Sequence, residues 1–435
     1  VPELRRSLPA ETTSAVGLVV AGLVTTAVWW SHLPSLLLDP QFYADDGGWY
    51  QAAYMHGPVL SLPHTGGGYL VLLQRLGASM SLAVPTLGAP LFFNLVALAV
   101  EITGVCYLLS SRMASAIPRL WIRIALALLV LVLPNAYDTS GNLTNAQWHL
   151  GLIAFLVFFA RPPRHLAGWM LDVGIVILAG LTGPYCILLE PIVLWLWLRD
   201  RRSRRLGVLA ALNTLCAGAQ VLVIAAHLGG RSTGQLAPGA LPLVTMIARQ
   251  VTLGLVAGAH GLTRLIASPL AADAALLTLL ALLPVLVCGW AVLRGPLVLR
   301  CFCVFAAAEL VLALTAPSIP SPQWPALGQP ASVSDFHPGG IRYFLYPLLA
   351  FAASLGWIAV RGARSGELSL RLAGACAALV LAVSAAVGVP ADWSYPHYRD
   401  EHWPQSVQRL QHAPAGTVVT VPINPKGWTM TLVAR

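Results

Sequence analysis

Charge is scarce in this chain and lysine almost absent. Only 10% of its 435 residues are Asp, Glu, Lys or Arg, and Lys426 is the single lysine. With 57% hydrophobic residues and a mean hydropathy of +0.73, the composition excludes an ordinary soluble globular domain and points to a polytopic membrane protein. The formal net charge of +9 would suit a nucleic-acid binder if the cations formed one patch. They are instead arginines in short clusters between apolar runs, where they orient helices in a bilayer, so no nucleic-acid partner is expected. The seven cysteines (Cys106, Cys186, Cys216, Cys288, Cys301, Cys303, Cys376) lie within or at the ends of apolar segments. Cys301-Phe302-Cys303 lacks a second Cys/His pair at zinc spacing, so the thiols read as small buried hydrophobes. No inverted repeat of the transporter kind is visible. The first apolar run is too long, and too poor in small residues at its end, for a cleavable signal peptide.

Crossing the hydrocarbon takes about twenty apolar helical residues. Eleven candidate spans follow, at 13–36, 90–109, 120–133, 149–160, 167–181, 185–198, 206–228, 273–293, 301–314, 343–360 and 372–389. Alternate loops carry the arginines: Arg5/Arg6, Arg112/Arg119/Arg123, Arg161/Arg164, the run from Arg199 to Arg205, Arg294/Arg300 and Arg361/Arg364/Arg371. The positive-inside rule assigns those loops and the N-terminus to the cytoplasm. The outward side then receives the loops 39–89, 134–148, 229–272 and 316–342 and the tail 390–435. The cytoplasmic loops are too short for a catalytic domain, so any chemistry faces outward. The expected fold is an all-α bundle over 1–389 with a short outward tail packed on its loops. Segments 68–82 and 241–266 mix apolar residues with Arg75, Arg249, His260 and Arg264, as interfacial helices do. Alternation around 417–421 and the Pro-Gly-rich 422–428 predict a short strand followed by a turn.

Polar residues concentrate in the outward loops. The stretch Phe42-Tyr43-Ala44-Asp45-Asp46-Gly47-Gly48-Trp49-Tyr50 sets two carboxylates among aromatics, where solvating them is costly. His56, His64 and Arg75 follow, then Asp138, Asn142, Thr144, Asn145, Gln147 and His149, then Asp335, His337, Arg342 and Tyr343, and finally His397, Arg399, Asp400, Glu401, His402 and Lys426. A carboxylate at the interface suits a general base for a hydroxyl, and arginines suit a phosphate. Each feature also has a structural reading: Asp45/Asp46 as a turn, Asn142–His149 as a loop and helix cap, Arg342 as a snorkelling side chain, and His56 and His64 as loop packing. Within the apolar segments, Asp172 near the cytoplasmic end reads as wet. Glu190, in a Gly-Pro-broken helix, either lines a cavity or caps the break. Glu101 and Glu309 keep open a transporter or lipid flippase using intramembrane carboxylates. A noncatalytic subunit of a polysaccharide assembly complex is a third reading.

Ala44-Asp45-Asp46-Gly47, the 142–149 segment, Gly183-Pro184 and Arg342-Tyr343-Phe344, on this many-helix architecture, resemble the GT-C glycosyltransferase superfamily. These are integral membrane enzymes that use polyprenyl-phosphate-linked sugars. The pattern, with the ending 422–428, is also similar to bacterial membrane proteins that modify surface polysaccharides. The resemblance implies an enzyme of the bacterial cytoplasmic membrane with its active site outside. A lipid-linked monosaccharide would be the donor and a glycan or glycolipid the acceptor. It implies Asp45 or Asp46 as base and Arg342, with Tyr343, at the donor phosphate, Arg75, Arg264 and Lys426 being reserves. Asn142, Asn145, Gln147 and His149 would bind sugar, joined by Tyr50, His56, His64 and Glu190 around donor and acceptor. No cofactor is expected, a divalent metal at the acidic pair being the disfavoured alternative. The chain lacks the large soluble C-terminal domain of oligosaccharyltransferases, which argues against transfer of a whole oligosaccharide to protein.

Overall fold

In hydrocarbon a backbone must satisfy its own N–H and C=O groups, so apolar runs become helices. The computed structural model describes residues 13–227, 240–268, 273–315 and 341–435. Arg5, Arg6, Asp335 and His337, most of the 316–342 loop and part of 229–272 lie outside them. Among the described residues, eight helices are long and apolar enough to cross a membrane, the architecture of a polytopic membrane protein. They are Ala15–His32, Thr86–Leu109, Arg204–Ala226, Leu241–Ile266, Ala274–Arg294, Leu297–Leu314, Ile341–Gly362 and Leu368–Ala391. Seven of these fall on spans expected from sequence.

The other four expected spans form shorter helices: Leu120–Leu131, Ala146–Phe159, Leu166–Gly180 and Tyr185–Arg199. At about 1.5 Å per residue they reach roughly 18–23 Å, less than the ~30 Å hydrocarbon core. Nearly all of Ala146–Phe159 is buried by other helices, so its apolar residues face protein. The eighth long helix, Leu241–Ile266, was expected to lie in the interface. Its length and composition suffice for a crossing, but Gly258 at φ 70°, ψ 175° breaks its run. Capping follows sequence: Ser14, Ser203 and Asp273 each accept a hydrogen bond from an N–H in the first turn of the helix that follows. Leu345–Gly362 and Leu368–Val383 cross where Gly362 meets Gly374, and a Cβ on Gly374 would lie 2.8 Å from the Gly362 Cα.

One end of the bundle gathers around Asp172, and here the structure corrects the expectation of a wet carboxylate. Asp172 is fully buried and bound by Arg112 (2.8 and 2.5 Å), Arg205 (3.1 and 2.8 Å) and the Tyr107 hydroxyl (3.0 Å). Arg205 also donates to the Val157 and Ala160 carbonyls, and buried Arg123 donates to those of Leu109 and Ser110. These arginines therefore close helix C-termini, where carbonyls are orphaned and the dipole is negative.

The Ala89–Leu109 helix runs from Asp172 to the opposite end, about 30 Å by its rise. There the tail packs. It holds a Trp403–His412 helix and an antiparallel hairpin of β1 (Val418–Ile423) and β2 (Trp428–Val433), paired from Val418↔Val433 to Ile423↔Trp428. The expected strand is present, and the returning strand extends it beyond the turn. Trp403 seals an aromatic cluster with Phe42, Tyr50 and Phe93.

Candidate active site

The turn before the Asp45–His56 helix sets the site. Ala44 begins it at φ 50°, ψ −124°, a conformation costly for any residue but glycine. Successive helical residues then point about 100° apart, and the two carboxylates part company. Asp46 turns into the bundle, where its Oδ1 accepts from the Thr144 N–H and hydroxyl, both at 2.7 Å. Burial pushes its carboxyl up to about 7, against the pull of the Thr144 bonds. Asp45 reaches solvent, although the protein crowded round it raises its carboxyl and the Arg342 cation partly offsets that rise.

Arg342 opens the Ile341–Gly362 segment and pairs at 3.6 Å with Asp138, itself fully buried. Asp138 also accepts from the Tyr43 hydroxyl (2.9 Å) and the Asn145 amide (3.3 Å). Burial raises the Asp138 carboxyl and Arg342 is the largest opposing influence. Tyr43 stacks on Tyr398 of the tail, ring centroids 5.2 Å apart. Tyr69 completes the group: its hydroxyl, raised by burial, feels Tyr343, Arg342 and Asp45 and bonds Gln147. Asp45, Tyr69, Gln147, Arg342 and Tyr343 thus share one locality, with a solvent-reaching carboxylate and a cation whose side chain is 21% exposed. That arrangement can accept a proton and hold an anion side by side.

The remaining candidates lie elsewhere or serve the scaffold. Asn142 and Asn145, expected to meet sugar, are buried. Asn142 donates to the Asp138 and Ser140 carbonyls and accepts from the Asn145 N–H (2.8 Å), while Asn145 donates to the Asp138 carbonyl (2.8 Å). Together they stiffen the buried loop that carries Asp138. His149 is buried too, with Nε2 4.0 Å from Glu101, whose Oε1 accepts from the Gly141 N–H. Tyr50 belongs to the Trp403 cluster. His56 and His64 face one another at 5.3 Å on exposed chain at the far end of the Asp45–His56 helix. Arg75 covers Trp49 at 4.6 Å, donates to the His64 and Thr65 carbonyls, and is lowered to about 10 by burial. Glu190 accepts from Asn213 and Thr214, tying Tyr185–Arg199 to Arg204–Ala226. Arg264 and Lys426 are exposed, Lys426 at the hairpin turn.

Asp138, Tyr43, Tyr69 and Thr144 carry no assigned role in the sequence reading, yet they complete or brace the cluster. For Asp138 the signal was present: a lone carboxylate in a loop crowded with amides. Among the described residues no three His, Cys, Asp or Glu side chains gather as a metal site. The chain matches no family model and no curated protein.

Proposed function

We propose that the protein is a GT-C-type glycosyltransferase of a bacterial cytoplasmic membrane. In this reading it moves a monosaccharide from a polyprenyl-phosphate donor to a glycan or glycolipid at the outer face. The observation that carries the reading is that solvent-reaching Asp45 lies within electrostatic reach of Arg342, with Tyr69 linked to both and bonded to Gln147. Asp45 takes the proton of the acceptor hydroxyl as its oxygen attacks the anomeric carbon. The bond from that carbon to the phosphate oxygen breaks, and the polyprenyl phosphate leaves with the electron pair. Arg342 meets the growing charge on the phosphate. A carboxyl raised by its surroundings is a stronger base than a free one, which suits the role. Asp46, engaged by Thr144, is the brace and Asp45 the base.

Eleven helices in the bilayer belong to this proposal, the seven long ones on expected spans and the four short ones, with Leu241–Ile266 in the interface and the arginine clusters on the cytoplasmic side. The tail and the loops 39–89 and 134–148 then form its outward face. The test supplies purified protein with a short-chain polyprenyl-phosphate sugar and candidate acceptors. Asp45→Asn is expected to lower transfer by about 10²-fold or more. Undiminished transfer by that variant overturns the assignment.

A further inference from the structure

The Asp45–His56 helix turns one face to the C-terminal hairpin along its whole length. The Ala44 N–H donates to the Asn424 carbonyl at 2.6 Å, and the Asn424 N–H donates to the Phe42 carbonyl at 3.1 Å. A Cβ on Gly47 would strike Ile423 and lie in ordinary contact with Met430. Gln51 accepts from the Thr431 N–H at 2.7 Å, and the Tyr54 hydroxyl donates to the Val433 carbonyl at 3.3 Å. Positions 44, 47, 51 and 54 have the three- and four-residue spacing of a single helix stripe. Asp46, Tyr50 and Ala53 form a second stripe buried in the bundle, and Asp45 begins a third that reaches solvent.

Asn424 is itself held. Its buried side chain accepts from the Arg399 N–H (2.9 Å) and donates to the Arg399 carbonyl (3.0 Å), imitating a strand pairing. Residues 42–44, 424 and 398–399 are thereby laced together, with Tyr43 stacked on Tyr398. At their junction sits Ala44, a non-glycine residue in a positive-φ turn. Such a conformation persists only where neighbouring contacts over-determine it.

We propose that the C-terminal hairpin is a working part of the active site, with Asn424 a positioning residue: its grip on Ala44 fixes the helix rotation that aims Asp45 to the open side beside Arg342. The proposal rests on the function given above for Asp45, though its geometry stands apart from the chemistry. Asp45 is the reporter. Groups facing it are Arg342, Tyr69 and its neighbour Asp46. A helix released from the strap would let Asp45 turn away from Arg342 and from the protein crowding it.

The test uses the full-length protein in detergent. Asp45 is modified with a water-soluble carbodiimide over a pH series and quantified by mass spectrometry, beside thermal melts of each variant. In the wild type, half-modification is expected above the ordinary carboxylate value of about 3.9. Asn424→Ala, which removes the side-chain hold on Arg399, and Gly47→Ala, whose Cβ strikes Ile423, loosen the strap by different routes, and each is expected to lower that midpoint towards the ordinary value. Adding Ala44→Gly to Asn424→Ala is expected to bring it back up, because glycine takes the turn unaided. An unchanged midpoint in folded Asn424→Ala and Gly47→Ala overturns the proposal. If Asn424→Ala fails to fold, Gly47→Ala and the Ala44→Gly/Asn424→Ala double variant decide by the same criterion. A shifted midpoint in a protein that transfers no sugar supports the strap and overturns the glycosyltransferase reading alone.

Discussion

Thr144 donates two 2.7 Å hydrogen bonds, from its N–H and its hydroxyl, to a single oxygen of buried Asp46. The two adjacent carboxylates of the chain are thus divided, one fastening the loop before Ala146–Phe159 and the other left to solvent. Division of this kind predicts opposite phenotypes. Thr144→Ala removes the hydroxyl bond and is expected to destabilise by about 1–3 kcal/mol, the range for leaving a buried polar partner short of a bond. Asp45→Asn touches no such partner among the described residues and should melt within a degree or two of wild type, on the order of 0.5 kcal/mol or less, while transfer is lost. Thermal melts in one detergent, run beside the transfer assay, separate the two.

Asp46 also sets a pH dependence. Its carboxyl is raised in the folded protein to about 7, by burial first, above an unfolded value near 3.9. Between those values the folded state holds a proton that the unfolded state has released, so stability is full at the acid end and falls as pH rises towards 7. At about 1.4 kcal/mol per unit the loss is on the order of 4 kcal/mol. The Tm should therefore fall from about pH 4 to pH 7 and level off above it, and Asp46→Asn should flatten the slope. A wild-type Tm that rises over that window contradicts the assignment.

Arg342 and Asp138 make a third test. Removing one member of a buried pair costs about 3–5 kcal/mol because the other charge is left uncompensated, and the partial exposure of Arg342 brings its own loss below that range. Arg342→Gln should destabilise, and adding Asp138→Asn should recover much of the loss. Recovery of stability without recovery of transfer is the expected pattern, since on the proposed mechanism the donor phosphate still lacks its cation. Additive losses in the double variant would show that the two side chains do not act as a pair.

What the sequence revealed and what it hid divide along the range of the forces concerned. Hydropathy is local, so seven of the eight long helices were legible in it, and so was the strand near Val418. Apolar runs that pack against other helices, such as Ala146–Phe159, look the same as runs that face lipid. Asp45, Gln147, Arg342 and Tyr343 could be named together from sequence because each flanks an apolar run at the same end of the bundle. The Asp138–Arg342 pair and the Asn424 clamp were invisible because they join distant parts of the chain, and nothing in a sequence marks which distant residues converge. Asn142 and Asn145 show a related limit: an amide able to bind a sugar is equally able to tie a loop, as both do here.

The last prediction concerns the end of the bundle remote from Asp45. Arginines there were read as orientation signals, yet Arg112 and Arg205 converge on a carboxylate that no water reaches. If their purpose were orientation alone, neutralising Asp172 would matter little, since the arginine charges would remain. The geometry argues otherwise: Asp172→Ala leaves buried Arg205 and largely covered Arg112 without their anion, and about 3–5 kcal/mol should be lost. Asp172→Asn should fare little better, because its amide turns donors toward donors. Arg371, exposed and on the same arginine-rich side, serves as the control, and Arg371→Gln should shift stability by no more than about 0.5 kcal/mol. Salt gives an independent check. Half-molar NaCl screens exposed arginines but hardly penetrates to Asp172, so the gap in Tm between wild type and Asp172→Ala should survive it. A gap that closes with salt would mean the cluster is open to solvent and that its arginines act chiefly as surface charge.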